Sequence, residues 1–299
     1  MQKPHSLKYG DTVAVISPAG ALRDISIVEG ACNTLHQWGL QTVVASNTYS
    51  RNGYYAGTAQ ERGDNFVSLI KDDKIKAILC SYGGYGCVHI VDAVAAAIAD
   101  NPKWIMGMSD CSVLHAACIN RGVMSLHSSQ CRQLHNSPCS ESVQFMRDIL
   151  FGGNMSYTVD ANRLNICGTA RGRIVGGNLS VLHALMRTPY DIFTPGVILF
   201  IEDINEPVYR IERMLYSLKL SGVLQNLSAL IVGQFTGLKE HTGFGGTLNE
   251  IIRSLVADCN IPVCFDFPVG HCDRNYPIIE GADVTLTISE NEVIFKEVI

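Results

Sequence analysis

The sequence lacks the features of several common protein classes. No stretch approaches the roughly 20 consecutive apolar residues of a membrane-spanning helix. The N-terminal segment has no apolar region ahead of a small-residue cleavage site, as a signal peptide would have. There is no long run of like charge, and the net charge of −5 is opposite in sign to a surface that binds phosphate backbones. These absences predict a cytoplasmic protein with neither a membrane nor a nucleic acid as partner.

Short motifs of nucleotide and metal sites are absent as well. The chain has no G-x-G-x-x-G fingerprint, P-loop, H-E-x-x-H or EF-hand pattern. None of its 11 cysteines form a C-x-x-C pair, which excludes a zinc knuckle and a thioredoxin-type motif. Many of them lie inside apolar runs, and buried, reduced cysteine packs as a small hydrophobic residue. A structural role is therefore predicted for the cysteines.

The chain does contain an alternation of short apolar strands and helical segments. The helix predicted at 60–72 places Phe66, Leu69 and Ile70 on one face. Continuous apolar strands separated by helices are typical of a parallel sheet covered on both faces. In the first half, such strands are predicted at 12–17, 42–45, 76–80 and 104–108.

A segment rich in Gly, Asn and Thr interrupts this alternation at 153–170. We interpret it as a linker between a domain at 1–152 and a second domain at 171–299. The 299 residues, 47% of them hydrophobic, suffice for two domains. The last residues alternate apolar and polar around Ser289, which predicts a terminal hairpin.

Polar clusters follow four of the predicted strands. They are SYGGYG after Cys80, SDCS after Met108, EDINEP after Ile201 and GHCDRN after Val269. In parallel α/β sheets, ligands gather at the carboxyl ends of the strands. These clusters are therefore the candidate site.

Ser109 stands where a predicted strand ends and a helix begins. Such a turn exposes its residue, and the unpaired N–H groups of the following helix could hold an oxyanion. Alternatively, Ser109, Asp110 or Ser112 caps the helix. The two interpretations are compatible, and the residues alone leave both open. The G-x-S-x-G elbow of α/β hydrolases is absent.

A serine nucleophile also needs a base and an acid that orients the base. Among nine histidines, His271 differs from the others because it follows FPVG in a loop, although a single loop histidine is more often merely solvated. Glu202 and Asp203 follow a strand, where they could serve the site or cap the helix after Pro207.

Seven blocks, in order, resemble one family nearly end to end. The resemblance is to the L,D-carboxypeptidase family of serine peptidases, which includes murein tetrapeptide carboxypeptidase and the microcin C self-immunity peptidase. It implies a flavodoxin-like parallel-sheet N-terminal domain and a smaller α/β C-terminal domain. The blocks are AVISPAG, YYAGTAQERGDNF, AILCSYGGYG, GMSDCSVLH, GGNLSVLHALMRTPY, ILFIEDINEPVYRIERML and FPVGHCDRNYPIIEGADVTL.

The resemblance also implies the site. Ser109 would be the nucleophile, His271 the base and Glu202 the residue that orients it. The backbone N–H groups of Asp110 and Gly84 would form the oxyanion hole. No metal or organic cofactor is implied, and family members are commonly homodimers. The substrate-binding residues would be Gly83 and Tyr85.

The sequence departs from the family pattern at three positions. Tyr82 stands where the glycine loop often has arginine, Ser128 follows His127 where glycine is usual, and Cys272 follows His271 where glycine is usual. None of these changes removes a triad member. They leave open how the pocket holds the terminal carboxylate of a substrate.

The function expected from the resemblance is release of the terminal D-Ala of murein tetrapeptide in peptidoglycan recycling. The alternative within the family is an immunity-type peptidase that cleaves peptidyl or aminoacyl nucleotides. That activity would need an aromatic stacking surface, and the sequence indicates no aromatic-rich insertion. Two other classes stay open: a non-catalytic binding protein on the same fold, and thiol chemistry at Cys80, Cys87, Cys111 or Cys272.

Overall fold

The computed structural model of the chain describes residues 1–238 and 245–298. Residues 239–244 and 299 of the predicted second domain lie outside the described residues. The chain divides into two compact units, Met1–Asn154 with Asp273–Gly281, and Met155–Cys272 with Ala282–Ile299. Among the described residues, no helix combines the length and apolar character needed to cross a membrane.

Strands and helices alternate over most of the described chain. The strands are β1 (Thr12–Ile16), β2 (Gln41–Val44), β3 (Ile75–Cys80), β4 (Trp104–Gly107), β5 (Ser125–His127), β6 (Ser156–Asp160), β7 (Gly168–Asn178), β8 (Ile198–Ile204), β9 (Ala229–Thr236), β10 (Val263–Cys264), β11 (Ile278–Glu280), β12 (Asp283–Ile288) and β13 (Glu292–Glu297). The helices are α1 (Ser26–Gln37), α2 (Ala59–Lys71), α3 (Val91–Asp100), α4 (Ser112–Asn120), α5 (Cys131–Asn136), α6 (Glu141–Leu150), α7 (Leu179–Ala184), α8 (Val208–Leu220) and α9 (Leu248–Leu255).

The first unit contains a sheet in the order β2-β1-β3-β4-β5, with β11 on its outer edge. Strands β1 to β5 are parallel, and only β11 runs antiparallel to its neighbour. This is the flavodoxin-like order, so the predicted fold class is confirmed. Strand β4 is buried throughout because the sheet is covered on both faces.

The second, smaller unit has a mixed sheet in the order β10-β9-β8-β7-β12-β13-β6. Strands β7 to β10 are parallel, and the remaining pairs are antiparallel. The predicted terminal hairpin is confirmed as β12 and β13. Tyr157, Phe267 and Phe295 pack together in the core of this unit, with ring centroids of Tyr157 and Phe295 6.2 Å apart.

The structure differs from the predicted boundaries in two places. The expected linker at 153–170 contains β6, which pairs with β13, and the start of β7. Only one side chain of β6, Tyr157, is fully buried, so this edge strand carries little of the apolar signal of a core strand. In addition, Asp273–Gly281 belongs to the first unit, because β11 pairs with β5. A three-residue strand is too short to show an alternation of apolar and polar residues in the sequence.

Candidate active site

Ser109 occupies a strained turn between β4 and α4. Its φ is +64°, a left-handed backbone conformation that costs a non-glycine residue about 1–2 kcal/mol. A short 3₁₀ turn, Ser109–Cys111, leads from it into the helix. Neither N-cap residue, Met108 for the turn or Cys111 for α4, makes a side-chain capping bond, so the capping interpretation of this stretch is wrong. A strained serine at a strand–helix turn is the geometry of a nucleophile elbow.

The glycine loop that follows β3 packs directly against this turn. A Cβ atom built on Gly83 would lie 2.8 Å from Ser109 Cβ, 3.0 Å from Ser109 Oγ and 3.2 Å from the nitrogen of Asp110. Only a residue without a side chain fits this approach. Gly84 has φ +90°, and within the described residues neither its N–H nor that of Asp110 donates to a protein group. Among the described residues, two backbone N–H groups are thus without a protein acceptor, one next to Ser109 in the chain and one next to Gly83.

The side chain of Asp110 supports the loop, a role that sequence analysis missed. This carboxylate is buried, and its Oδ2 accepts a hydrogen bond from the N–H of Cys87 at 2.7 Å. Burial raises the pKa of Asp110 to about 6, against the opposing effect of the backbone hydrogen bonds from Cys87 and Gly86. Asp110 therefore ties the turn at Ser109 to the glycine loop.

Exposed tyrosines surround the glycine loop. Tyr85 is half exposed, and its ring lies 5.5 Å from that of His89 and 6.2 Å from that of Tyr55. Tyr82, at the position where the family pattern often has arginine, is 39% exposed. Its ring and the Tyr54 hydroxyl would each lie 3.1 Å from a Cβ atom built on Gly84. The loop thus has the aromatic surface that the sequence did not indicate, because Tyr54 and Tyr55 come from a segment far from it in the chain.

In the second unit, Glu202 and His271 form a hydrogen-bonded pair. Glu202 Oε2 lies 2.6 Å from His271 Nδ1, and the carboxylate is completely buried, whereas 17% of the imidazole side chain is exposed. Gly270 allows this approach, since a Cβ there would lie 2.7 Å from Glu202 Cβ. The bond occupies Nδ1 and leaves Nε2 for proton exchange. The geometry is that of an oriented general base.

The environment raises the pKa of His271 above its ordinary value of 6.5. Burial is the largest single influence and lowers this pKa. The charge of Glu202, its hydrogen bond and the charge of Asp203 act in the opposite direction and together outweigh burial. A carboxylate that stabilises the imidazolium is what a proton-accepting base requires.

Asp203 lies beside Glu202 within β8 rather than after it. It does not cap α8, whose N-cap is Pro207 without a side-chain bond, so that interpretation is wrong. Instead, its buried carboxylate accepts hydrogen bonds from Asn178 Nδ2 at 2.9 Å and from the N–H of Ser180 at 2.8 Å. Asp203 therefore connects the end of β8 to the start of α7.

The structure brings the candidate residues together in two groups. Gly83, Gly84, Ser109 and Asp110 meet in the first unit, and Glu202 meets His271 in the second. Two residues after His271, at Asp273, the chain leaves the second unit and enters the first unit.

The cysteines near these groups are mostly inaccessible. Cys80, Cys87 and Cys111 are completely buried, and only Cys272 is partly exposed. Burial raises the pKa of Cys87, which disfavours a reactive thiolate there. Over residues 1–238 and 245–298, no group of three or more His, Cys, Asp or Glu is arranged to hold a metal ion.

A strained serine at a strand–helix turn, closely approached by a glycine loop, and a buried carboxylate–histidine pair are features that serine hydrolases have. Comparison with known families agrees. The LD-carboxypeptidase N-terminal domain matches residues 13–128, and the LD-carboxypeptidase C-terminal domain matches residues 171–286. The chain belongs to the LD-carboxypeptidase family and is a serine-type carboxypeptidase, a hydrolase.

Individual relatives are similar over nearly the whole chain. A Bacillus subtilis protein named "probable murein peptide carboxypeptidase" is 31% identical over 98% of this chain and 94% of that protein. The crystal structure of muramoyltetrapeptide carboxypeptidase from Oxalobacter formigenes has a TM-score of 0.87 and 25% identity, covering 96% of this chain and 98% of that one. The microcin C7 self-immunity protein MccF of Escherichia coli is 26% identical over 97% of this chain and 94% of that protein.

Proposed function

We propose that the chain hydrolyses the amide bond to the terminal D-Ala of murein tetrapeptide, through a triad of Ser109, His271 and Glu202, in peptidoglycan recycling. The observation that carries the proposal is the 2.6 Å bond between Glu202 and His271, because it orients an imidazole whose other nitrogen can accept a proton. The names of two relatives, murein peptide carboxypeptidase and muramoyltetrapeptide carboxypeptidase, support the substrate.

In the proposed reaction, the Ser109 hydroxyl attacks the carbonyl carbon that precedes D-Ala. Its proton passes to Nε2 of His271, and Glu202 stabilises the imidazolium that forms. The C–N bond then breaks, and His271 returns the proton to the departing amine. Water attacks the resulting ester in the same way, which releases the tripeptide and restores the serine.

Backbone donors would stabilise the negative charge that develops on the substrate oxygen. The N–H groups of Asp110 and Gly84 are proposed for this role, and Gly83 and Tyr85 for contacts with the substrate. Support comes from the close approach of Gly83 to Ser109 and from the lack of other partners for the two N–H groups among the described residues. Removing one such donor typically lowers kcat about 10²- to 10³-fold.

Chain connectivity supports pairing the base with the nucleophile. His271 precedes Asn275 by four residues, and Asn275 belongs to the first unit. There its buried amide lies 3.3 Å from the sulfur of Met108, the residue that precedes Ser109. A short stretch of chain therefore links the two residues that would exchange the proton.

A second candidate function is immunity-type cleavage of a peptidyl or aminoacyl nucleotide. The observation that favours it is the exposed aromatic surface of Tyr54, Tyr82 and Tyr85, since nucleobases stack on aromatic rings. The similarity to MccF is consistent with it.

The deciding experiment is mass spectrometry of murein tetrapeptide incubated with the wild-type protein or with Ser109→Ala. Loss of one alanine from the C-terminus by wild type only is expected, because removing a nucleophile lowers kcat about 10⁶-fold. Circular dichroism establishes that the variant is folded. Wild-type turnover of an aminoacyl sulfamoyl adenylate, with an intact tetrapeptide, would replace the first function by the second. Equal activity of Ser109→Ala and wild type would contradict the triad.

The proposal includes a cytoplasmic homodimer without a cofactor, as expected from the family resemblance. Light scattering during size-exclusion chromatography measures the mass in solution, and a monomer at working concentration would contradict the dimer. Activity after dialysis against a chelator is expected to equal that of the untreated protein.

A further inference from the structure

One peptide unit of the glycine loop lies between two buried charged side chains. The carbonyl oxygen of Gly86 accepts a hydrogen bond from Arg62 at 2.8 Å, and the adjoining N–H of Cys87 donates to Asp110 at 2.7 Å. Both groups belong to the same peptide bond. Arg62 is 1% exposed and Asp110 is 3% exposed, so neither charge is solvated by bulk water.

Burial of these charges makes the shared peptide important to both. An unpaired buried ion is costly, and Arg62 has no direct ion pair with a carboxylate among the described residues. Its other polar contacts are the carbonyl of Pro18 at 2.7 Å and Nδ1 of His89 at 3.2 Å. The peptide dipole directs its oxygen at the cation and its N–H at the anion, so each charge is stabilised by the end of opposite sign.

We propose that Arg62 and Asp110 form a clamp on the Gly86–Cys87 peptide that holds the glycine loop in register with the nucleophile turn. Arg62 is then a positioning residue for the carboxypeptidase reaction, which is the function proposed above and on which this catalytic role rests. The clamp acts through the loop, because Gly84 lies two residues before the clamped peptide. Asp110 follows Ser109 directly, so its carboxylate joins the turn that carries the proposed nucleophile to the loop that carries Gly84, through backbone hydrogen bonds from Gly86 and Cys87.

The local sequence suits this arrangement. Gly86 has φ +135°, and a Cβ there would lie 3.0 Å from the Arg62 guanidinium and 3.1 Å from the Tyr55 ring. Arg62 lies on the buried face of α2, four residues before Phe66. Its guanidinium carbon lies 5.2 Å from the centre of the Tyr55 ring, which favours a cation at this position.

The kinetic test compares Arg62→Met with Arg62→Lys. Arg62→Met is expected to lower kcat for tetrapeptide about 10²-fold with unchanged KM, because a shift of about 1 Å in a catalytic donor has that effect. Arg62→Lys keeps a positive charge and is expected to recover part of the loss. Asp110→Asn retains an acceptor oxygen without the charge, and combining it with Arg62→Met is expected to add little further loss, since both act on one peptide.

Lys103→Met provides the matched control. Lys103 is also a buried cation that donates to backbone carbonyls, among them that of Ile75 at 2.8 Å. It precedes β4 at the amino-terminal end of the parallel strands, whereas the glycine loop follows the carboxyl end of the neighbouring β3. This variant is expected to lower the melting temperature and leave kcat unchanged. A loss of kcat equal to that of Arg62→Met would mean that general destabilisation explains both, and would overturn the clamp.

A readout independent of turnover separates the clamp from the proposed function. Hydrogen exchange of the Cys87 amide is expected to accelerate about tenfold or more in both variants, because Arg62→Met releases the carbonyl side of the same peptide and Asp110→Asn replaces a charge-assisted bond by a weaker neutral one. Unchanged exchange in both variants would overturn the clamp. If wild type fails to cleave tetrapeptide but exchange accelerates in both variants, the clamp stands and only the assigned reaction fails.

Discussion

The nucleophile turn and the Glu202–His271 pair are built in opposite ways. Around Ser109 the arrangement comes from the backbone: φ is +64°, Gly83 approaches closely, and the proposed oxyanion donors are backbone N–H groups. The second group is formed by two side chains, joined by one 2.6 Å bond in which the carboxylate is fully buried. Substitutions should therefore act differently, with added side-chain volume disrupting the first group and altered charge disrupting the second.

Among the substitutions that compare these two groups, Glu202→Gln is expected to have the largest effect. The amide fills the same volume but presents a donor to Nδ1, which selects the wrong tautomer of His271, and a decrease in kcat of about 10⁴-fold follows. The base works in its neutral form, so kcat/KM of wild type rises with pH through the pKa of His271, above 6.5. Without the Glu202 carboxylate, burial lowers the pKa of His271 with only the smaller effect of the Asp203 charge against it, and the rise moves to lower pH. A pH profile with an unchanged midpoint would contradict this assignment.

Gly83→Ala tests the group around Ser109, and its effect on kcat should be the second largest. Its methyl group would lie 2.8 Å from Ser109 Cβ and 3.2 Å from the Asp110 nitrogen, which would displace a proposed oxyanion donor. We expect kcat to fall about 10²- to 10³-fold in steady-state assays. Gly63→Ala is the control, because a Cβ on this helical glycine meets only Ile90, at 3.5 Å, and alanine favours the helix. Equal activity of the two variants would refute the close approach.

Asp203→Asn should affect stability more than activity. Asparagine has one acceptor oxygen, so the bonds from Asn178 and the N–H of Ser180 cannot both be kept. The free energy of unfolding should fall by about 1–3 kcal/mol, with kcat reduced by about tenfold at most. Urea denaturation measures the difference. Asp258→Asn removes a carboxylate from an exposed ion pair with Lys219 and should change neither quantity measurably.

The smallest effect concerns strain at the nucleophile. Both Ser109→Ala and Ser109→Gly lack the hydroxyl, but only glycine adopts φ +64° without a steric penalty. Ser109→Gly is expected to be more stable than Ser109→Ala by about 0.5–1 kcal/mol after the greater flexibility of unfolded glycine is included. Thermal unfolding compares the two directly. A more stable alanine variant would argue against strain at this turn.

Local patterns were sufficient for much of the fold. Strands β1 to β4 of the first unit and the terminal hairpin could be predicted because their apolar patterns are short-range properties. Strands β6 and β11 could not: one exposes most of its side chains, and the other is three residues long. The pairing of β11 with β5 joins residues far apart in sequence, for example Ile278 and His127.

The candidate site was predictable in its residues and less so in its chemistry. The polar clusters and the family resemblance indicated Ser109, Glu202 and His271. The role of the Asp110 side chain was missed, since an aspartate after a strand also matches a helix cap. One sequence feature indicates that Arg62 is buried, namely its position four residues before Phe66 on the apolar face of α2. A positively charged side chain on the buried face of a helix needs a polar or charged group to pair with.

The amino-acid order alone determined which residue types follow which strands, because strand period and turn composition are set by neighbours in the chain. Only tertiary structure decided how those residues act. Glu202 and His271 are 69 positions apart, and Arg62 and Gly86 are 24 apart. Hydrogen bonds across such separations, and the positive φ of Ser109, exist only when packing elsewhere holds the chain in place. No local pattern encodes them.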